Sequence, residues 1–200
     1  FKECRGPLVI LDWIGRGAPL LHRENEGRLS KRPVVWCDLA DRQRPLALFR
    51  LERSERFQEI LIGLLREWRD LVRSPLGNEP LAWAADVAFK LAEEGPVGLG
   101  ALYRTLTSAE VRRWFVATTP KADEFDRLAR LLAWALRFPG VYALSEGPTR
   151  FALTSLLGAA QTVWIEIPVE HFEAIEHHLV CSLVEAIVWE APHLVLHLEP

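Results

Sequence analysis

Short apolar runs with the length of a buried strand occur near both ends of the chain. Pro7–Leu11 and Pro33–Cys37 lie in the first quarter, and Thr162–Ile167 and His193–Leu198 lie in the last. Each run is nearly continuous in apolar residues and is followed by Asp, Pro or Glu. This pattern predicts four strands that are buried on both faces of a sheet.

Helical periodicity dominates the chain between the second and third predicted strands. From Phe57 to Val72, apolar residues recur every three or four positions, and Arg, Glu and Asp fill the opposite side. The segment Val141–Leu144 is predicted to be a small strand or an extended linker. Apolar spacing, capping patterns and Pro or Gly punctuation predict further helices at Leu20–Ser30, Leu81–Glu94, Leu99–Leu106, from the capping-box spacing Thr107–Glu110 through Phe115, from Thr119-Pro120 to Pro139-Gly140, at Thr149–Leu157, and from Pro168 to Pro192.

The order of these elements indicates a fold class. The chain runs strand, helix, strand, about five helices, strand, helix, strand. Helices between successive strands favour parallel pairing through right-handed crossovers. We therefore expect an α/β protein with a mostly parallel sheet and an all-helical insertion between the second and third strands. Residues 1–50 and 140–200 would form the α/β core, and residues 51–139 would form the inserted helical subdomain.

Composition narrows the class of protein further. The 200 residues suffice for one sizeable domain, and 50% hydrophobic with 26% charged residues is typical of a folded chain. No apolar run reaches the roughly 18 residues that a transmembrane helix needs. Three cysteines without a CxxC spacing disfavour a disulfide scaffold and a cysteine zinc site. These features predict a cytoplasmic protein whose membrane attachment, if any, comes from a partner or from a segment outside these residues.

Charge is distributed unevenly along the chain. Residues 1–150 carry all 24 Lys and Arg against 20 Asp and Glu, whereas residues 151–200 carry seven Glu and no Lys or Arg. The overall net charge of −3 is not that of a dedicated nucleic-acid binder. An Arg-rich face in the first part nevertheless keeps a nucleic-acid-binding module open as an alternative function.

The predicted strands and their flanking loops have the organisation of a known group of ATPases. Leu8–Leu21 reads as a strand, a glycine-containing loop and a helix start, and Val34–Asp38 reads as a strand ending in Asp. Leu128–Leu157 followed by Thr162–Ile167 looks like the return from a helical insertion, and His193–Glu199 resembles a strand with an acidic end. This order resembles the HerA–FtsK superfamily of hexameric DNA-pumping ATPases, which includes the coupling ATPases of conjugation and type IV secretion. The resemblance covers most of the chain as a pattern of elements and implies a sheet of P-loop NTPase type.

The phosphate-binding loop that the resemblance implies is degenerate. A working loop reads GxxxxGK[ST], in which the Lys neutralises the β- and γ-phosphates and the hydroxyl holds Mg²⁺. Here Gly15 and Gly17 remain, but Asp12 replaces the first glycine, Ala18 replaces the lysine and Pro19 replaces the Ser or Thr. Asp12 would place a negative charge beside polyanionic phosphate, and Pro19 supplies neither a hydroxyl nor a backbone N–H.

Two other residues of this loop suggest different roles. Arg16 offers a positive charge, although from a different place in the loop than the missing lysine. Trp13 follows Asp12 directly and would plug the vacant nucleotide pocket or serve as an interface anchor.

The acidic motifs implied by the resemblance are also incomplete. Asp38 ends the second predicted strand and would contact nucleotide or magnesium, or would simply cap a turn. Leu198 stands where an Asp is expected, so only Glu199 remains of the acidic pair. Loss of the Lys, the Ser or Thr and the Asp removes most of the electrostatic stabilisation on which phosphoryl transfer relies.

We therefore expect a noncatalytic, pseudo-ATPase form of the fold, with no catalytic residue, no metal site and no cofactor. ATP and Mg²⁺ would bind only if the degenerate loop still works. The resemblance implies protein partners in a DNA-translocation, conjugation or type IV secretion assembly, and DNA is a weaker expectation. Candidate partner surfaces are the acidic helix of residues 169–190 and the Arg- and Glu-rich segment of residues 50–73.

Three alternatives remain open from the sequence. The chain could be an active ATPase that relies on Arg16 or on residues outside this segment. It could be the nucleic-acid-binding module described above. It could also have another α/β fold, which antiparallel pairing between Pro7–Leu11 and Pro33–Cys37 would indicate.

Titratable residues near the third predicted strand are candidates for a metal site. The segment Glu170–His178 holds three His and three Glu, but it lacks the HExxH spacing of a zinc helix. We interpret this segment as a solvated, acidic helix face. Glu166 lies within the third strand, and alternation favours an orientation away from the core. Cys37 and Cys181 are expected to be buried thiols without a catalytic role.

Overall fold

Four strands form one parallel sheet in the computed structural model. The strands are β1 (Leu8–Asp12), β2 (Val34–Asp38), β3 (Thr162–Glu166) and β4 (Leu194–Leu198). Their order across the sheet is β2-β3-β1-β4, and every neighbouring pair is parallel. The predicted α/β class with a parallel sheet is confirmed. The structure describes residues 8–13, 34–41, 53–54, 56–111, 113, 122–146, 162–190 and 194–198.

The first two strands are not neighbours. β3 pairs with β1 on one side and with β2 on the other, so β1 and β2 make no pair with each other. The antiparallel pairing that would have indicated a different α/β fold is therefore absent from these two strands. All of the predicted strands at the four apolar runs are present, and each lies within a residue or two of its predicted bounds.

The parallel register sorts the side chains onto two faces of the sheet. On one face, the side chains that β1, β2 and β3 contribute are apolar and belong to or pack against the main hydrophobic core. We call it the helical face, and it consists of Val9, Leu11, Cys37, Val163 and Ile165. Residues two apart along a strand point to the same side. The opposite face, here called the tryptophan face, therefore carries Ile10, Trp36 and Trp164, followed at the strand ends by Asp12, Asp38 and Glu166.

Six α-helices accompany the sheet in the part of the chain that the structure describes. The first five lie between β2 and β3 in chain order, and the sixth connects β3 to β4. Their bounds are α1 (Phe57–Leu71), α2 (Asn78–Leu91), α3 (Leu99–Thr107), α4 (Ala122–Ala135), α5 (Pro139–Glu146) and α6 (Ala174–Glu190). The predictions at Leu20–Ser30 and Thr149–Leu157 lie outside the described residues.

Helix α1 confirms the prediction from apolar periodicity almost to the residue. Its apolar stripe faces the core and includes Phe57, Leu61, Leu65 and Trp68, all with no exposed surface. The indole Nε1 of Trp68 donates to the hydroxyl of Ser182 at 2.7 Å, which satisfies the polar atom of this buried ring. The bond joins α1 to α6 through the centre of the helical layer.

Two local predictions near α2 and α3 need correction. Helix α2 begins at Asn78, before its predicted start at Leu81, and Pro80 lies in its first turn. Proline is tolerated there because it has no N–H, and the N–H groups of a first turn have no intrahelical acceptor. The next helical turn is capped by Ser108, whose hydroxyl accepts from the Val111 amide at 3.2 Å. Thr107, the predicted cap, is instead the last residue of α3.

The segment predicted as a small strand or linker is helical. Val141–Leu144 lies within α5, which begins at Pro139 because proline at the start of a helix loses no hydrogen bond. Pro139-Gly140 thus opens a helix, and the preceding helix α4 ends at Ala135. Val141 and Leu144 are buried and belong to the main core.

Two helix starts are capped by side chains that are distant in sequence. The amides of Leu99 and Gly100, at the start of α3, donate to Ser145 Oγ at 2.7 Å and to Glu146 Oε1 at 2.9 Å. The Gly140 amide, at the start of α5, donates to Glu176 Oε1 at 2.6 Å. A Cβ at Gly100 would lie 2.6 Å from the Glu146 carboxyl carbon, so glycine is required for this close approach.

The last helix differs from its prediction at its beginning. After Pro168 the chain forms a 3₁₀ turn over Val169–His171, and α6 starts only at Ala174. Near its start, Ile175 is 48% exposed, and Phe172 lies before the helix. The segment Glu170–His178 is mostly exposed, as expected of a solvated acidic face, although Glu176 is buried. From Leu179 to Val188, α6 is mostly buried.

The helices and the sheet share one hydrophobic core. Residues from all six helices and from the helical face belong to the same buried cluster. Among the parts of the chain that the structure describes, no helix has the length and apolar character needed to cross a bilayer.

Candidate functional site

The chain leaves β1 and β3 in opposite directions across the sheet. From β1 it passes to β2, on the far side of β3, and from β3 it passes to β4, on the far side of β1. Neighbouring strands whose connections diverge leave a crevice outside their carboxyl ends, and ligands of open α/β sheets bind in such crevices. The carboxyl ends of β1 and β3, together with that of β2, are therefore the candidate functional site.

Three carboxylates stand in a row at this edge. In the strand register Asp12 lies opposite Glu166, and Glu166 lies opposite Asp38, so the three residues are aligned across β1, β3 and β2. Asp12 is only 1% exposed and Glu166 only 8% exposed, whereas Asp38 is half-buried. We call these three residues the carboxylate row. The sequence analysis treated them separately and did not bring them together.

The environment of Glu166 disfavours its negative charge. Burial raises the pKa of Glu166, and the neighbouring charges of Asp38, Asp12 and Glu170 raise it further. A hydrogen bond with the Trp36 side chain acts in the opposite direction and stabilises the charged form. The balance shows that this edge already carries more negative charge than its surroundings easily accommodate.

Asp38 has the turn-capping role that the sequence offered as one of two interpretations. Its Oδ1 accepts from the Ala40 amide at 2.8 Å, which closes a turn directly after β2. The preceding amide, of Leu39, donates to the Glu166 carbonyl at 3.1 Å. In the same way the Ile167 amide donates to the Asp12 carbonyl at 2.9 Å. These bonds hold the chain close to the sheet just beyond the strand ends.

Two stacked tryptophans lie below the row. The rings of Trp36 and Trp164 are 5.3 Å apart with an angle of 12° between their planes. Trp36 supplies the hydrogen bond to Glu166 described above. The buried Nε1 of Trp164 has no hydrogen-bond partner among the described residues. The stack places a hydrophobic layer immediately beneath the charged strand ends.

The structure describes only part of the predicted phosphate loop. Asp12 ends β1 and Trp13 follows it, half-buried and packed against the main core. Gly15, Arg16, Gly17, Ala18 and Pro19 lie outside the described residues, as does Glu199. The predicted nucleotide or magnesium contacts are Asp38 and Glu199, and of these the structure describes only Asp38, which lies in the row. Leu198, which stands where an acid is expected, ends β4.

The residues described do not form a metal centre. No three His, Cys, Asp or Glu side chains within the described ranges come together in a way that could hold a metal ion. His177 Nε2 lies 3.3 Å from the Ile167 carbonyl, and His178 Nε2 pairs with Glu67 Oε1 at 2.9 Å. These histidines of α6 are engaged separately, and Glu170 and His171 belong to the 3₁₀ turn.

The two described thiols are not nucleophiles. Burial raises the pKa of Cys37 to about 11. Burial, with the charges of Glu185 and Glu67, raises the pKa of Cys181 to about 12, although the His177 ring lies 3.7 Å from its sulfur. These shifts favour the protonated thiols at neutral pH. Cys37 is buried as predicted, whereas Cys181 is half-buried.

Two surface cavities of opposite charge lie away from the sheet, and the sequence analysis missed both. One, of about 400 Å³, lies between the end of α1 and α4 and is lined by Arg127, Arg130 and Trp134. The spacing i, i+3 and i+7 could have revealed this one, because it puts all three residues on one helix face. The other, of about 300 Å³, lies between α1 and α6 and is lined by three glutamates and by Gly63.

Gly63 is an unusual residue for its position. It lies inside the exposed part of α1, where glycine destabilises a helix by about 0.5–1 kcal/mol relative to alanine. Its backbone is not left-handed, since the described glycine with positive φ is Gly95. No atom lies within 4 Å of the place where its Cβ would be. Neither backbone geometry nor packing within the described chain therefore requires glycine here.

No protein-family model matches this chain, and comparisons with curated proteins and with solved structures gave no match. Inference about function consequently rests on the geometry of the strand ends and of the two cavities.

Proposed function

We propose that the chain is a noncatalytic, P-loop-like domain that acts through protein contacts in a DNA-translocation, conjugation or type IV secretion assembly. In this proposal the sheet is of P-loop NTPase type, α1 to α4 belong to a helical subdomain inserted between β2 and β3, and the nucleotide chemistry has been lost. The observation that carries the proposal is the carboxylate row at the edge where an open α/β sheet binds its ligand.

The electrostatics of the row support the loss of nucleotide binding. Polyphosphate carries several negative charges, and a phosphate site supplies backbone N–H groups and a lysine to offset them. This edge instead presents Asp12 and Glu166 in register, with Asp38 beside them. Burial raises the pKa of Glu166 and the other carboxylates raise it further, so a polyanion would add to an existing repulsion.

Calorimetric titration with ATP and Mg²⁺, and separately with ADP, tests the proposal. We expect no heat and no change in melting temperature at millimolar nucleotide, because the edge repels phosphate and lacks the lysine of a working loop. Binding in the micromolar range would overturn the noncatalytic assignment and favour an active ATPase with divergent motifs. Arg16→Ala and Asp38→Ala would then identify the groups responsible.

A repaired loop provides the positive control. The triple variant Asp12→Gly, Ala18→Lys and Pro19→Thr recreates the pattern GxxxxGKT. If the sheet is of P-loop type, this variant should gain ATP binding while the wild-type chain has none. If the folded triple variant also fails to bind, the P-loop assignment loses its support.

The basic cavity favours a second candidate function, that of a nucleic-acid-binding module. Arg127 and Arg130 line one side of this cavity, and the half-buried ring of Trp134 offers a surface on which a base could stack. Binding of a fluorescent single-stranded oligonucleotide that weakens steeply with salt would support this candidate. Arg127→Ala with Arg130→Ala should then abolish binding, whereas Arg113→Ala, at an exposed position outside the cavity lining, should leave it unchanged.

A further inference from the structure

The acidic cavity between α1 and α6 is a groove with an apolar floor and a charged rim. Ile60, Leu64 and Ala186 line its floor together with Gly63 and Ser182, and Glu59, Glu67 and Glu185 form its rim. None of the residues that line it is basic. Both helices are anchored below the groove by the hydrogen bond from Trp68 to Ser182, so its walls are held at a fixed spacing.

Gly63 keeps the floor of the groove open. A Cβ at Gly63 would meet no atom of the described residues outside its own helix backbone within 4 Å, whereas a Cβ at Gly100 or Gly140 would meet a neighbour at 2.6 or 2.8 Å. A side chain at either of those glycines would crowd a neighbour within the chain, whereas one at Gly63 would crowd none of the described residues. Glycine destabilises the interior of a helix, and no contact among the described residues explains its presence at position 63. We interpret this glycine as leaving room for another molecule to approach the helix backbone closely.

The rim gives the groove a strong negative potential. Glu67 and Glu185 lie close enough to Cys181, on the α6 wall, for their charges to raise the pKa of its thiol beyond the effect of burial. His178 pairs with Glu67 at one side, through side chains that are both about half exposed. The carboxylates of the rim, of which Glu67 also pairs with His178, favour a cationic occupant.

We propose that this groove is a docking site for an arginine-bearing helix of a partner protein. Its volume of about 300 Å³ is at the lower limit of ligand pockets and suits one or two side chains. An arginine fits the chemistry, because its stem can pack on the floor while its guanidinium bonds to the rim carboxylates. Arginine is also among the residues that most often anchor interfaces.

The inference rests on the proposed function in one respect, namely that the chain acts through protein contacts. It names the chemistry of the partner and is independent of the P-loop assignment. Nucleotide binding in the calorimetric titration would overturn the noncatalytic assignment and leave the groove untouched. Failure of the groove experiment below would leave the nucleotide result unchanged, so the two failures are distinguishable.

Fluorescence anisotropy with a designed peptide tests the proposal. The probe is a labelled amphipathic helix with arginines one turn apart, and the matched control peptide carries glutamates at the same positions. The wild-type chain should bind the arginine peptide saturably and should not bind the glutamate peptide. No binding of the arginine peptide at millimolar protein, or equal binding of both peptides, would overturn the proposal.

Substitutions at the floor separate the groove from the rest of the surface. Gly63→Leu fills the open space and should weaken binding about tenfold or more, the scale of an interface anchor. Gly63→Ala adds a single methyl group to the same space, so it should also weaken binding, but less than Gly63→Leu does. Both substitutions favour the helix, so loss of folding cannot explain a loss of binding. Unchanged binding by Gly63→Leu would contradict the proposal.

Substitutions at the rim test the charge. Glu67→Gln should weaken binding about fivefold and reduce its dependence on salt, because one attractive carboxylate is removed. Glu94→Gln, on an exposed turn away from the groove, should change neither. Sedimentation equilibrium checks for a second copy of this chain as the occupant. Self-association of the wild type that Gly63→Leu abolishes would replace the partner helix with a dimer interface.

Discussion

The two faces of the sheet have different chemistry. The helical face is apolar across β1, β2 and β3 and lies in a core shared with all six helices. The tryptophan face begins with apolar side chains and ends in the carboxylate row, one strand position beyond Leu11 and Ile165. Alternation along a strand separates the two environments by a single residue. The helical face can therefore supply stability while charge collects on the other.

We expect the largest loss of stability from a substitution in the core that packs against the helical face. Trp68→Ala should lower the free energy of unfolding by about 3–5 kcal/mol, because it empties the space of a fully buried indole. Trp68→Phe keeps most of the ring and removes the bond to Ser182, so it should cost about 1–2 kcal/mol. Urea denaturation of both variants provides the measurement. Equal costs would mean that the hydrogen bond, not the packing, dominates this region.

Features of the helical layer differ in how well sequence could predict them. Helix α1 has one buried stripe and a charged opposite side, so its period alone located it within a residue. Helix α6 is buried on several sides, and its period carries little information about which face is inside. The start of α5 depends on Glu176, which reaches the Gly140 amide from a helix far along the chain. A local pattern contains no signal for such a cap.

A smaller effect is expected on the tryptophan face. Trp36→Leu removes the stack with Trp164 and the bond to Glu166, and it should cost about 1–3 kcal/mol. Trp36→Phe preserves an aromatic ring without the N–H donor and isolates the contribution of the hydrogen bond. Thermal unfolding of the two variants gives the difference. If both match the wild type, this face contributes nothing to stability and the helical face supplies all of it.

The smallest effect concerns the charge of the row. Because the pKa of Glu166 is raised in the folded state, the folded protein binds the proton more tightly than the unfolded chain does. Wild-type stability should therefore fall as pH rises from the ordinary glutamate value through the raised one. Glu166→Gln should remove that loss and unfold a few degrees higher at neutral pH, with the advantage fading below about pH 4.

Melting curves from pH 3.5 to 7.5 measure this dependence. The side-chain amide introduced by Glu166→Gln retains an oxygen acceptor for the Trp36 indole, so the comparison isolates the charge. Glu170→Gln removes an exposed carboxylate that contributes less to the shift, and it should have a smaller effect in the same direction. A Glu166→Gln variant that is less stable at pH 7 would show that the carboxylate is stabilising rather than strained.

The candidate site was only partly visible in the sequence. The segments LVILD, VVWCD and TVWIE have the same length and each ends in an acid, so their similarity could have placed three carboxylates at one edge. Their alignment required the strand order, because β3 had to lie between β1 and β2. The openness of Gly63 depends on α6 lying beside α1 and has no counterpart in the local sequence.

The in-register row of acids also affects how the sheet assembles during folding. A slip of β3 by one residue against β1 would transfer every β3 side chain to the other side. Glu166 would then enter the hydrocarbon layer beneath the helices, where an unpaired carboxylate is far more costly than an exchanged Val or Ile. Short apolar strands can pair in several registers. A terminal acid on each of these three strands disfavours every register that would bury it among apolar side chains. The acids therefore favour the observed alignment of β1, β3 and β2 over a one-residue slip.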